Sequence, residues 1–186
     1  AGLILNGELY SGTNGMAGEA GHIRLSKEGP VGYGKEGSFE GFCSGGGIAQ
    51  LGKRAAEKAL QEGKQPLFCK NKEELEDISA RTIAEAAEKG DPLALEIFET
   101  VAERLGEGLS ILIDLLNPER IVIGSIYLRQ EKLLKPLMEK VIHKEALGQS
   151  VSVVQVLPAG LGEKLGDYAA VSVGLRAYQN TYGGKK

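Results

Sequence analysis

Three side chains near the start of the sequence have types and spacing that suit the binding of a polar ligand. Glu19 and His22 lie three residues apart, and a glycine-rich segment of 17 residues separates His22 from Glu40. Glycine lets the backbone turn tightly, so this segment could fold back and bring the three side chains together. Two carboxylates and an imidazole at one point could then hydrogen-bond a ligand. The alternative is that all three are solvated residues of a flexible loop.

The elements around these residues are predicted to be short. The first 47 residues contain 14 of the 27 glycines, which favours short strands and tight loops. Asn6-Gly7 lies between an apolar run and an alternating segment with Leu9 and Tyr10, the pattern of a β-hairpin. Because its first strand is already under way at Ala1, we expect the chain to be a fragment of a longer protein.

Helical periodicity begins after these short elements. It predicts helices from Ser44 to Gly63, in one or two short pieces over 71–90, over 92–116 with Asp91 as N-cap, over 131–147, and after Asp167. Strands are predicted over 120–124 and 151–157. The alternation of helices and strands indicates an α/β fold with right-handed crossovers.

Two of these helices carry specific packing expectations. The helix over 92–116 is expected to be the central core element, through an apolar stripe of Leu95, Phe98, Val101 or Ala102, Leu105, Leu109, Leu112 and Leu116. The last helix is rich in small residues, namely Ala169, Ala170, Ser172, Gly174 and Ala177. We therefore expect another element to pack closely against it.

Charge and hydropathy exclude several classes of function. The formal net charge is −3 and no helix carries a basic stripe, so we set nucleic-acid binding by this chain aside. No apolar run approaches the roughly 18 residues of a membrane span. Cys43 and Cys69 lack a metal-binding spacing and fit reduced thiols, which favours a cytoplasmic protein.

Four segments together resemble the ROK family of sugar kinases and sugar-responsive repressors, within the actin-like ATPase (ribonuclease H-like) superfamily. They are NGELYSGTNGMAGEAGH, GYGKEGSFE, LNPERIVIGS and LGDYAAVSVG, in this order. The resemblance implies an α/β domain with a mixed sheet flanked by helices, as one ROK-type carboxy-terminal domain over 1–186. A glycine-rich sugar-site excursion would cover about 12–47, and the helical and α/β part 48–182.

The resemblance also implies roles for individual residues. Glu19, His22 and Glu40 would bind the hydroxyls of a hexose or an N-acetylhexosamine, which need fixed hydrogen-bonding partners. Gly124 and Ser125 would help to line a nucleotide pocket, with Gly160 and Gly162 as weaker candidates. Many members of the family have a second glycine where Ser125 stands.

The sequence departs from the family at a zinc site. Members usually bind zinc through three cysteines and the histidine of the preceding motif, and the cysteine positions are Val31, Tyr33 and Ser38 here. None of these can supply a thiolate ligand, so we predict a zinc-free protein with no metal ligands. We expect packing by Val31, Tyr33 and Phe39 to replace the metal.

By resemblance, the full-length parent uses ATP and Mg²⁺ as a glucokinase, fructokinase or N-acetylhexosamine kinase, and is a homodimer. The catalytic Asp and the phosphate loop would lie upstream of Ala1, and Asp91, Asp114 and Asp167 have ordinary structural roles in the prediction. We therefore expect no catalytic residue, and no kinase activity, in this chain alone. The alternatives are the effector-binding domain of a sugar-responsive repressor and a degenerate homologue that serves as an interaction module.

Overall fold

The computed structural model describes residues 1–182, apart from the side chains at positions 163, 165 and 180. The strands are β1 (Leu3–Leu5), β2 (Glu8–Tyr10), β3 (Val31–Gly32), β4 (Lys35–Glu36), β5 (Arg120–Ile123) and β6 (Gln155–Pro158). The α-helices are α1 (Phe39–Cys43), α2 (Gly45–Gln61), α3 (Ala80–Glu88), α4 (Pro92–Leu116), α5 (Ile126–Glu145), α6 (Gly148–Val151) and α7 (Leu165–Tyr182). Short 3-10 helices cover Ala20–His22, Lys72–Asp77 and Gly162–Lys164.

The strands pair two by two. β1 and β2 form the predicted antiparallel hairpin, in which Asn6 (φ 53°) and Gly7 (φ 80°) make the tight turn. β3 and β4 form a second antiparallel pair, whereas β5 and β6 are parallel, with Ile121 opposite Val156. The described strands therefore form three separate two-stranded sheets, two antiparallel and one parallel, beside the helices of an α/β protein.

Side-chain caps fix where the two main helices begin. The Ser44 hydroxyl accepts a hydrogen bond from the Gly47 N–H at 3.1 Å and starts α2. Asp91 starts α4 by accepting from the Ala94 N–H at 2.9 Å, and its other carboxylate oxygen accepts from the Leu67 N–H at 2.7 Å. The predicted helix over 92–116 is confirmed, because local capping and periodicity agree.

The core is built around α4. Its buried side chains pack against α2, α3 and α5, and they include Phe98, Val101, Ala102, Leu105, Leu109 and Ile113. Gly106 lets α5 approach closely, since a Cβ there would lie 2.6 Å from the Val141 Cβ. The end of the predicted stripe is different: Leu116 is exposed.

Three predicted elements need correction. The helix predicted from position 131 already begins at Ile126, although its backbone is kinked at Gln130. The strand predicted over 151–157 begins only at Gln155, because the short α6 occupies Gly148–Val151. The five small residues of α7 are all exposed, so the close packing expected against them is not formed within the described part of this chain. None of the described helices is long and apolar enough to cross a membrane.

Candidate functional site

Glu19 and His22 flank a tight turn. The 3-10 helix Ala20–His22 is closed by hydrogen bonds from the His22 N–H to the Glu19 carbonyl (3.1 Å) and from the Ile23 N–H to the Ala20 carbonyl (3.0 Å). Ala20 is buried and anchors the turn, while the side chains of Glu19 and His22 are exposed. The turn therefore presents both predicted ligand-binding groups to solvent.

Glu40 lies in the first turn of α1. Ser38, which is fully buried, caps this helix by accepting from the Gly41 N–H at 3.0 Å, and its hydroxyl donates to the Gly32 carbonyl at 3.3 Å. Ser38, at a position that the resemblance assigns to a cysteine ligand, thus fixes the helix that carries Glu40.

The turn and α1 are in direct contact. A Cβ at Gly21 would lie 3.2 Å from the Glu40 Cβ and 3.5 Å from its Oε2, so glycine allows the carboxylate to approach the turn. The Phe39 N–H also donates to the Ile23 carbonyl at 2.8 Å. The structure thus brings the segments of all three predicted residues together. The side chains lie on an exposed surface of this chain, not in a buried one.

Val31 and Tyr33 do not pack into the protein interior to hold this region, which corrects our expectation. Val31 is 44% exposed and Tyr33 is 83% exposed, because Tyr33 (φ 48°) and Gly34 (φ 74°) form the tip of the β3–β4 hairpin. Phe39 does pack as expected: it is buried, with its ring against Gly108 of α4.

Hydrogen bonds hold the β3–β4 hairpin instead. The Gln50 side chain accepts from the Val31 N–H and donates to the Val31 carbonyl, both at 2.9 Å. The Lys35 ammonium donates to the His22 carbonyl and the Arg24 guanidinium to the Glu36 carbonyl, both at 2.7 Å. Among the described side chains, no three His, Cys, Asp or Glu are grouped to hold a metal.

A cavity of about 450 Å³ lies beside Glu40, between α1, α4, β5 and the start of α5. Its wall is mostly apolar and includes Leu105, Leu109, Leu112 and Ile123. Gly21 and Glu40 line it from one predicted site, and Gly124 and Ser125 line it from the other. Glu19, His22, Gly160 and Gly162 are not among its described lining residues.

The loop after β5 is strained. Ser125 has φ 55° and ψ −123°, a conformation that favours glycine and costs other residues about 1–3 kcal/mol. Its side chain makes no capping bond to α5. Because Ile123 pairs with Pro158, the parallel register brings the Gly160 and Gly162 loop to the same sheet edge as Ser125.

The cavity is also lined by two side chains that the sequence did not indicate as ligand-binding, those of Cys43 and Tyr127. Burial raises the pKa of the Cys43 thiol, and Glu107 adds to this effect while Arg104 opposes it, so the thiol stays protonated and unreactive. Burial, with Glu131 and Glu139, raises the pKa of Tyr127 to about 12, and its buried hydroxyl has no hydrogen-bond partner among the described atoms.

The aspartates considered in the sequence are placed in structural positions. Asp91 caps α4, and Asp114 accepts a hydrogen bond from the Leu147 N–H at 2.8 Å. The last helix was predicted to begin after Asp167 but begins at Leu165, so Asp167 lies in the first turn of α7 and does not precede it. Both cysteines, Cys43 and Cys69, are free thiols.

Comparison with known proteins identifies relatives of two kinds. The chain is 36% identical over 148 residues to the DNA-binding transcriptional dual regulator NagC of Escherichia coli, covering 79% of this chain and 34% of the regulator. It is also 36% identical over 141 residues to a glucokinase of Halalkalibacterium halodurans, covering 74% of this chain and 42% of the enzyme.

A solved structure shows the same fold. The ROK family glucokinase of Streptomyces griseus, in complex with glucose and AMPPNP, superposes with a TM-score of 0.76 at 29% identity, over 92% of this chain and 55% of that one. The chain thus spans about half or less of the length of these relatives, and it has the actin-like ATPase fold of ROK sugar kinases. The ROK family model matches residues 1–173, and the chain belongs to the ROK family.

Proposed function

We propose that this chain supplies the hexose-binding surface and part of the nucleotide pocket of an ATP-dependent hexose kinase. One observation carries the proposal: the carboxylate of Glu40 lies against the Glu19–His22 turn at the rim of a cavity that reaches Gly124 and Ser125. Acceptor and phosphate donor must lie close together for phosphoryl transfer, and Glu40 of the first predicted set lines the same cavity as Gly124 and Ser125 of the second.

Glu19, His22 and Glu40 would bind the sugar hydroxyls. A carboxylate accepts hydrogen bonds only, whereas an imidazole can donate and accept, so the set can distinguish the orientations of neighbouring hydroxyls. Their exposure in this chain leaves them free to meet a ligand. Glucose, mannose, fructose and N-acetylated hexosamines are all compatible with this set.

Ser125 and Gly124 would contribute to the binding of ATP. The α5 N-terminus has no side-chain cap, and the free N–H groups of a helix start favour anions such as phosphate. The bound Mg²⁺ would neutralise charge on the phosphates. No aspartate is assigned as the base that activates the sugar hydroxyl, and we predict that the purified 186-residue chain phosphorylates no hexose.

A second function is compatible with the comparisons, since the chain is 36% identical both to NagC and to the glucokinase of Halalkalibacterium halodurans. The same three residues would then bind a sugar effector of a repressor, and the cavity would not need to bind nucleotide. The strained Ser125, at a position where many relatives have glycine, fits this alternative. Binding of a hexose is common to both functions.

Calorimetry with a panel of hexoses tests the shared step. We expect the purified chain to bind at least one hexose, and Glu19→Ala, His22→Ala and Glu40→Ala to weaken binding by about 1–3 kcal/mol each. Glu28→Ala removes an exposed glutamate of the same loop and should leave the affinity unchanged. Folded variants with wild-type affinity would contradict the assignment.

Titration with AMPPNP and Mg²⁺ in the presence of the preferred hexose separates the two functions. A kinase-type site predicts saturable nucleotide binding that is weakened by a bulky substitution such as Gly124→Val. Hexose binding without nucleotide binding would favour the effector domain of a repressor.

A further inference from the structure

We propose that Gln50 is a positioning residue for His22 and acts through the β3–β4 hairpin. Gln50 lies on α2, outside the turn and α1, and no hydrogen bond joins it directly to His22 among those described. Two sets of contacts connect Gln50 to His22. Hydrogen bonds join Gln50 to Val31, and residues of the hairpin contact His22. The consequence for ligand binding rests on the proposed function, whereas the positioning itself does not.

The hydrogen bonds between Gln50 and Val31 fix the hairpin to helix α2 of the core. Gln50 lies two residues after Ile48 and two residues before Gly52. Both of these residues are buried in the core, so the backbone around Gln50 is well anchored. Its amide group makes both hydrogen bonds to Val31, one as acceptor and one as donor, at 2.9 Å. Two bonds to the same residue fix the position and the register of β3, which a single bond would not do.

The hairpin itself is braced against the chain that follows His22. The Gly37 carbonyl accepts from the Leu25 and Ser26 N–H groups at 2.9 and 3.1 Å, and the Gly37 N–H donates to the Pro30 carbonyl at 3.0 Å. A Cβ at Gly37 would lie 2.0 Å from the Ser26 carbonyl oxygen. The hairpin is therefore bonded to the segment that follows His22 as well as to Gln50.

The β3–β4 hairpin contacts His22 at two points, through Lys35 and Tyr33. The Lys35 ammonium donates to the His22 carbonyl at 2.7 Å. The Tyr33 ring meets the His22 ring edge to face, with centroids 6.4 Å apart and planes at 88°. Tyr33 reaches this position from a backbone with φ 48°, which L-residues other than Gly, Asn and Asp rarely adopt.

An exposed imidazole needs such support to bind a ligand well. Without it, His22 would sample several rotamers, and binding would have to order them at an entropic cost. Holding the ring in one orientation before the ligand arrives lowers that cost. Gln50 thus sets the orientation of His22 from a distance, through Val31 and the hairpin.

Nuclear magnetic resonance tests the positioning without any ligand. The variants are Gln50→Ala, which removes both bonds to Val31, and Gln50→Glu, which retains only the acceptor. Gln61→Ala is the matched control, since Gln61 is an exposed glutamine of the same helix. The imidazole signals of His22 are assigned with His143→Gln, because the chain has only two histidines.

In the wild-type chain we expect His22 ring signals displaced by the Tyr33 ring current, and a protected Val31 amide. Gln50→Ala should move the His22 signals towards those of a mobile histidine. It should also accelerate hydrogen exchange of the Val31 amide about tenfold, at a temperature well below the melting temperature of the variant. Gln50→Glu should show a smaller change in the same direction, and Gln61→Ala none. Unchanged His22 signals in folded Gln50→Ala would overturn the proposal.

Hexose titration then separates this proposal from the proposed function. If the chain binds a hexose, Gln50→Ala should weaken binding about three- to tenfold, and wild-type affinity in that variant would overturn the positioning role. If no hexose binds even to the wild type, the proposed function fails, while the His22 spectra still decide whether Gln50 positions the ring.

Discussion

The glycine-rich region over 12–47 and the helical body over 48–145 are held together by different interactions. The body buries a continuous apolar cluster around α4, with Phe98, Val101 and Ile113 almost fully enclosed. The glycine-rich region has short strands and single turns, and its segments are joined mainly by hydrogen bonds and by close approach of glycine backbones. Stability is therefore expected to come from the body, whereas the geometry of the candidate site depends on the glycine-rich region.

The two regions meet where Phe39 packs against Gly108. A Cβ at Gly108 would lie 2.6 to 2.7 Å from three atoms of the Phe39 ring. Phe39 directly precedes Glu40, so this contact links the core helix to a predicted ligand-binding residue. Substitutions in the body, at this contact and at the cavity should therefore have separable effects.

The largest loss of stability is expected in the body. Leu109→Ala removes a side chain that is 3% exposed and leaves a cavity, which should lower the free energy of unfolding by about 2–5 kcal/mol. Leu116→Ala, in the exposed last turn of the same helix, should cost less than about 1 kcal/mol. Chemical denaturation measures both, and a similar small loss for the two variants would show that the core face of α4 is assigned wrongly.

A smaller loss is expected at the contact between the regions. Gly108→Ala should destabilise by about 1–3 kcal/mol, because the new methyl group overlaps the Phe39 ring. Gly174→Ala provides the control: its Cβ would meet nothing within 4 Å, so alanine should be neutral or stabilising in α7. A destabilised Gly174→Ala with a neutral Gly108→Ala would contradict the packing of α1 on α4.

A gain in stability is expected at the cavity. Tyr127→Phe removes a buried hydroxyl that has no described partner, and should raise the free energy of unfolding by about 1 kcal/mol.

The raised pKa of Tyr127 also gives a pH dependence. The folded state resists ionisation of this phenol, so wild-type stability should fall as the pH rises from 10 towards about 12.

Tyr127→Phe should remove part of this alkaline loss of stability. Tyr178→Phe is the control, because Tyr178 is exposed and should leave the slope unchanged. Denaturation curves between neutral and alkaline pH compare the three proteins. Equal alkaline slopes for wild type and Tyr127→Phe would show that the phenol is solvated in the folded state.

No effect is expected from removing metal ions. By resemblance, Ser38, Val31 and Tyr33 stand where the family has cysteine ligands. Hydrogen bonds between Gln50 and Val31 and from Lys35 to the His22 carbonyl hold the hairpin. We predict that a chelator leaves the melting temperature unchanged and that elemental analysis finds no zinc. A stoichiometry of about one zinc per chain would contradict this prediction.

Local signals explain which parts of the fold could be predicted. The hairpin at Asn6-Gly7 and the cap at Asp91 depend on residues that are neighbours in the chain, and both were predicted from the sequence. The strand predicted from Val151 begins later, because α6 packs on α4 and α5, and this tertiary contact outweighs the β-propensity of the valines.

The candidate site shows a similar limit. The resemblance to a family selected Glu19, His22 and Glu40, and the structure brings their segments together. The sequence and its family resemblance could not indicate Gln50, because a hydrogen bond to a residue 19 positions away leaves no periodic pattern in the sequence. Packing by Tyr33 was expected in place of a metal ligand, but its position in the hairpin turn leaves the ring largely exposed, with an edge-to-face contact to His22.

The most direct test of the candidate site is a titration of the labelled chain with the hexose panel, followed through its backbone amide signals. Binding at the proposed site predicts saturable shifts concentrated at Glu19–His22 and around Glu40, and their loss in Glu40→Ala. Helix α6, which contributes no residue to the cavity wall, should give no shifts. Saturable shifts confined to other segments, or no shifts with any hexose, would contradict a sugar site formed by Glu19, His22 and Glu40.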